Sequence, residues 1–259
     1  GGTTANDPAD PRFVTYLAPH GIQAATFNIT ATTVATMNPS TATSILDING
    51  LTGTNTMTQN VSAQAVRLRT TANTQQLNNG GFTLNIGGSA TAGQGAGLQL
   101  VHTSDNEVTH TANFGFGAQE GMIYVSTTGG SSVVRLNGNI TGTNGVTRFG
   151  NGILRLGGNN SFGGPVTLNS GDTRLVSSTG GGPLTGAATN INLWGGNFFL
   201  GAGSTRHNNN VSFYNDARFG NDNVSAAGVN NITVEPRVGS SSPVVAWIQN
   251  TAGGNSTVA

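Results

Sequence analysis

The sequence predicts an all-β chain wound as a β-solenoid, and three observations carry the prediction. Short apolar runs of period two recur along its length, divided by Gly and Asn clusters that mark tight turns. One strand motif comes back: Gly152-Ile-Leu-Arg-Leu and Gly171-Asp-Thr-Arg-Leu align position for position, with Val166-Thr-Leu between them. A motif that returns in this way, with another strand in between, describes one turn of a solenoid. No window shows a sustained helical period with caps. Strand density alone leaves a β-sandwich or a propeller open.

Taken in order, residues 1–20 are atypical. Asp7-Pro8, Asp10-Pro11 and Pro19 interrupt them, and proline cannot donate to a sheet ladder, so they read as an extended arm or end cap. Within the arm, Phe13, Val14, Tyr16 and Leu17 form an apolar run. It either covers the start of its own chain or adds a strand to a neighbouring subunit. From residue 21 to 259 no linker or shift of composition divides the chain, which predicts one solenoid domain. Thr-rich strands are expected at 25–30, 33–37, 44–48 and 55–61, with a tight turn at Asn49-Gly50. Clearer alternations follow at 66–70, 82–86, 98–101, 122–125 and 133–136, and further runs at 191–194, 198–200, 211–214, 217–219, 232–235 and 244–248. At about 20 residues per turn and about 4.8 Å per step, this amounts to about 12 turns and a rod of about 55–60 Å. Leu154, Leu156, Thr173 and Leu175 are expected to face inward. Arg155 and Arg174 then stack outside, tolerable when solvated or beside an acid such as Asp172. Asn-rich turns are expected to stack as amide ladders.

Composition narrows the function classes. Only 8% of residues are charged, the formal net charge is zero, and 40 of the 259 residues are Gly. Nucleic-acid binding needs a basic stripe, and the sequence shows none; the same lack argues against an electrostatic membrane-surface role. No apolar run reaches the roughly 20 residues of a membrane span. There is no Cys and no Lys, so neither disulfides nor Lys–Asn isopeptide links can staple the chain, and mechanical strength must come from the hydrogen-bonded stack. The chain opens without a signal peptide and stops in the style of its interior, which reads as a piece of a longer secreted precursor.

Chemistry is sparse. His102, Asp105, Glu107 and His110 are the densest titratable cluster, but their spacing matches no zinc pattern, and a solvated loop between strands is expected there. Asp47, Asp172, Asp216, Asp222 and Glu235 stand apart in sequence. A polysaccharide-active enzyme needs grouped carboxylates, and Asp216 with Asp222 read as turn formers instead. No Gly-x-Ser-x-Gly elbow exists. No catalytic residue, metal or cofactor is therefore expected. The aromatics of the last third, Trp194 and Trp247 among them, suit core filling, end capping or a sugar-binding face.

Residues 145–177 also resemble the autotransporter-associated β-strand repeat (passenger-associated transport repeat) of bacterial secreted and surface proteins. The correspondence runs through Gly152, Leu154, Leu156, Gly158, Asn160, Phe162, Gly164, the run Val166-Thr-Leu, and then Gly171 and Leu175, with Arg148 where a Lys is usual. The resemblance covers about one repeat. It implies a right-handed parallel β-helix, secretion in a Gram-negative-type bacterium, and no catalytic residues. An extracellular structural rod or filament subunit is the expectation. Its joints would be the N-terminal arm (Phe13, Val14, Tyr16, Leu17) and the strand-like, uncapped C-terminal run (Val244, Val245, Trp247, Ile248), because open solenoid ends stack on further copies. The alternative is a passenger adhesin that binds glycans or surfaces.

Overall fold

A computed structural model describes residues 13–17, 21–38, 40–88, 95–128, 131–176, 190–200, 209–221, 231–235 and 242–250. The chain is all-β with almost no helix. Its strands form three long parallel sheets of ten, seven and five strands, with two small two-stranded sheets. From Ala96 to Phe162 the chain visits the three sheets in cyclic order. Ala96–His102 lies in the ten-stranded sheet, Glu107–His110 in the seven-stranded sheet and Asn113–Gly115 in the five-stranded sheet. The next strand, Gly121–Thr127, returns to pair in parallel with Ala96–His102. This arrangement is compatible with a β-solenoid.

The return length varies. Leu46 pairs with Val66, Val66 with Leu98, and Leu98 with Ile123, so the middle return is the longest of the three. Extra residues sit at the corners, where they leave the strand register untouched. The ten-stranded sheet fixes ten passes among the described residues, fewer than the dozen expected, because corners lengthen many returns and the arm adds no pass. Nine steps of about 4.8 Å give a stack of about 43 Å.

Side chains alternate in and out of each strand as the pleat requires. The inward set builds one continuous apolar core, from Ala31 and Met37 at one end to Phe213 and Phe219 at the other. Leu154, Leu156, Thr173 and Leu175 are buried, and the return read from the sequence is the actual register, Leu154 to Thr173 and Arg155 to Arg174. The amide ladder also forms. The Asn113 and Asn139 side-chain oxygens accept from the backbone N–H of Asn139 and Asn159, at 2.9 and 3.0 Å. The fully buried Asn160 accepts from the Ile140 N–H at 2.9 Å and donates to the Gly158 carbonyl.

Two local expectations are corrected. Residues 33–37 are not a strand; Val34–Met37 is a single helical turn. Thr33 and Thr36 cap it reciprocally: the Thr33 hydroxyl accepts from the Thr36 N–H, and the Thr36 hydroxyl accepts from the Thr33 N–H at 3.0 Å. Two threonines thus serve as a capping box without the usual acid, and Met37 is fully buried. The solvated loop expected over residues 102–110 is confined to 103–106, where Asp105 and Asn106 are exposed. His102 ends one strand, Glu107–His110 is another, and both histidines are buried.

One inward position carries a charge. Arg148 stacks between Ile123 and Leu168 in an otherwise apolar column and is 1% exposed. It donates to the carbonyls of Gly150, at 2.8 Å, and Gly152, and at 3.4 Å to that of Asp172. Burial pushes the guanidinium down to about 10, against the pull of Asp172. Gly171, at φ +69°, leaves the room: a Cβ there would collide with the guanidinium.

Candidate functional site

Three features outside the core could act on another molecule or on conditions: the N-terminal hairpin, the C-terminal edge and the outer face of the seven-stranded sheet.

The arm is engaged with its own chain. Val14–Leu17 pairs antiparallel with Gly21–Ala24, Val14 opposite Ala24 and Tyr16 opposite Ile22, and the Ala25 N–H donates to the Phe13 carbonyl at 2.7 Å. Leu17 lies opposite Gly21. Phe13 rests on the outer face of the ten-stranded sheet at Gly97, where a Cβ would sit 2.6 Å from the ring. Phe13 thus touches a flank of its own sheet, and the rest of the arm, 1–12 and 18–20, lies outside the described residues. Nearby, Phe27 covers the Arg67 guanidinium at 4.1 Å. Arg67 forms a buried two-point ion pair with Asp47, at 2.8 and 2.7 Å, so an acid isolated in sequence is paired across adjacent strands. Gly97→Val should force Phe13 off the sheet at a cost of about 1–3 kcal/mol. Hydrogen exchange should then show the 21–25 amides losing protection while Leu98 and Leu100 keep theirs.

At the other end, Ala246–Asn250 closes the seven-stranded sheet, and no described strand pairs beyond it. Val244 and Ile248 pack against the core, whereas Val245 and Trp247 point outward, 41% and 51% exposed. The Asp216 carboxylate accepts from the Val245 N–H at 2.9 Å, which ties this run to the preceding corner. Asp216 is therefore used in a turn, and Asp222 lies outside the described residues. A further aromatic feature lies on the corner between the ten- and seven-stranded sheets, where Trp194 and Tyr214 stack at 4.7 Å and 6°. Trp194 is 44% exposed.

The outer face of the seven-stranded sheet carries Arg135, Arg155 and Arg174 in register on three adjacent strands. Glu107 pairs with Arg135 at 3.4 Å and also with Arg155, two strands away. Arg174 lies 3.7 Å from Asp172 and over the Phe199 ring at 5.0 Å. The repeated motif in the sequence exposes the Arg155–Arg174 pair. Arg135 extends it, and the sequence hides this because the return from Arg135 to Arg155 differs in length from the next.

Around the buried histidines, the His102 Nε2–H donates to the Asn106 carbonyl and the Thr70 hydroxyl donates to Nδ1, each at 2.8 Å. His110 Nδ1 accepts from the Leu77 N–H at 3.1 Å. Burial, reinforced by the charge of His102, pushes His110 down to about 3, and burial also lowers His102. Both are neutral core groups. No set of three or more His, Cys, Asp or Glu residues suited to a metal occurs among the described residues. No helix among them is long and apolar enough to cross a membrane. Compared with known proteins, the chain matches no family model, no curated protein and no solved structure.

Proposed function

We propose that this chain is an extracellular structural rod of the autotransporter-associated repeat type, a right-handed parallel β-helix whose copies join end to end on a bacterial surface. The handedness follows from the strong rule that parallel crossovers in one sheet are right-handed. The observation that carries the reading is the C-terminal edge: Ala246–Asn250 has no described partner beyond it, and Val245 and Trp247 are exposed beside it. A sheet edge with exposed apolar side chains is a template for another strand. The ten-stranded sheet likewise ends in Asn231–Val234 at this end and in Ile29–Ala31 at the opposite end of the stack, a second pair of edges for an end-to-end joint. With Phe13 docked on a flank of its own sheet, the ends themselves are the joint.

Electron microscopy of native protein over a concentration series tests this. Filaments with an axial repeat near one stack length are expected, and Trp247→Asp with Val245→Asp should leave single short rods. Filaments that persist in the double variant would move the joint elsewhere. Isolated rods at every concentration would favour the second reading, a passenger that binds glycans, for which the stacked, exposed Trp194–Tyr214 pair is the specific support. Such a pair presents the flat apolar face that sugar rings cover.

A further inference from the structure

We propose that the outer face of the seven-stranded sheet binds a linear acidic polysaccharide along the column Arg135, Arg155 and Arg174. The three guanidinium groups project from adjacent strands, so they repeat at the inter-strand spacing of about 4.8 Å. That repeat is close to the length of one pyranose unit, so a polymer with an acid group on each sugar can meet successive arginines in step.

Folding does not account for the column. Its other described positions are Thr109, Phe199, Gly220 and Gln249, so the sheet accepts neutral residues there. Like charges on neighbouring strands repel, and the ion pairs here, with side chains 24–33% exposed, offset that repulsion only in part. The two carboxylates on this face, Glu107 and Asp172, stand against four arginines, the three of the column and the exposed Arg218. Arg155 gives Glu107 one of its five N–H donors and has no other hydrogen-bond partner among the described residues. Among the described residues, the acids at the sheet's margins, Asp105 and Asp216, lie at the corner toward the ten-stranded sheet. The corner beside the arginine column holds Asn137, Gly157 and Val176 instead. Positive potential is thus concentrated along the column, where guanidinium forks suit carboxylate or sulfate oxygens. A single-stranded nucleic acid would need aromatic rings between the charges to stack its bases. The outward positions beside the arginines are Val133, Ile153 and Asp172, and the ring in the column, Phe199, is buried beneath Arg174 and offers no open face for a base, which favours a sugar chain. The site is on the side of the stack, so it is the same whether copies join end to end or not.

The test is binding of polygalacturonate, with dextran as the uncharged control, by calorimetry at low and moderate salt. Affinity for polygalacturonate should fall steeply with salt as counterions are displaced, and dextran should not bind. The triple variant Arg135→Gln, Arg155→Gln, Arg174→Gln should lose at least tenfold in affinity with its circular dichroism and melting temperature retained. Glu107→Gln, which releases two arginines from their carboxylate, should bind several-fold tighter. Glu120→Gln makes the same change in net charge at a corner remote from the column and should leave binding unchanged. Equal binding by the folded triple variant, equal gains from Glu107→Gln and Glu120→Gln, or equal affinity for a single-stranded oligonucleotide would each overturn the assignment. If the triple variant fails to fold, the contrast between Glu107→Gln and Glu120→Gln decides.

Discussion

Lowering the pH from about 6.5 to about 4.5 is expected to remove about 2–3 kcal/mol of folding stability through His110 alone, at about 1.4 kcal/mol per pH unit. His110 is enclosed in the core, and its folded pKa lies near 3, against about 6.5 in an unfolded chain. The unfolded chain therefore takes up a proton over this interval that the folded chain refuses. Stability is fully present above about 6.5, falls as the pH drops, and levels off only below about 3. Geometry gives the same sign. His110 Nδ1 accepts from the Leu77 N–H, so a proton on Nδ1 would set two donors against each other. His102, also lowered by burial, adds to the loss. Urea denaturation at a series of pH values should show the slope directly. His110→Asn places an acceptor oxygen near the Nδ1 position, so it should cost stability at neutral pH but flatten the acid slope by about one proton. An unchanged slope would remove His110 as its source.

Arg148→Ala should cost about 3–5 kcal/mol, because it opens a large void in the core and removes one donor each from the carbonyls of Gly150 and Gly152, which keep the Ser170 hydroxyl and the Asp172 N–H. Arg148→Met fills most of that space and spares the desolvation of a cation, so a smaller loss of about 1–2 kcal/mol is expected. Gly171→Ala should destabilise on its own, both from its φ of +69° and from collision with the guanidinium. Combined with Arg148→Ala, the collision with the guanidinium disappears while that with the Gly150 carbonyl oxygen and the backbone strain remain, so the double variant should lose less than the sum of the two single losses. Guanidinium titrations of the four proteins would measure this. If Arg148→Ala lay within about 1 kcal/mol of the native chain, well below the usual cost of such a void, the carbonyl contacts would have no structural weight.

Much of the architecture was legible because it repeats. Gly152-Ile-Leu-Arg-Leu and Gly171-Asp-Thr-Arg-Leu announced a register that the structure keeps residue for residue. The Asn-rich turns likewise announced their ladder. What escaped was what composition misdirects. Arg148 occupies an inward position of Val146–Phe149, where a charge reads as outward. His110 lies in register with Leu136, Leu156 and Leu175, yet the polar residues before it suggest a loop. Val34–Met37 is too short for any periodicity to show. The arginine column was legible in its Arg155–Arg174 half, and Arg135 joined it through a slightly longer return that no repeated motif marks.

Glu107 reaches Arg155 across the intervening strand that carries Arg135. In a linear array each unit ordinarily feels its immediate neighbours alone, and its stability is a sum of unit and interface terms. A contact that skips one unit adds a second-neighbour coupling to that array. Fraying that enters from either end then meets three strands that share one carboxylate, so the amides of Glu107–His110, Val133–Leu136 and Ile153–Leu156 should lose protection closer together than those of other neighbouring strands.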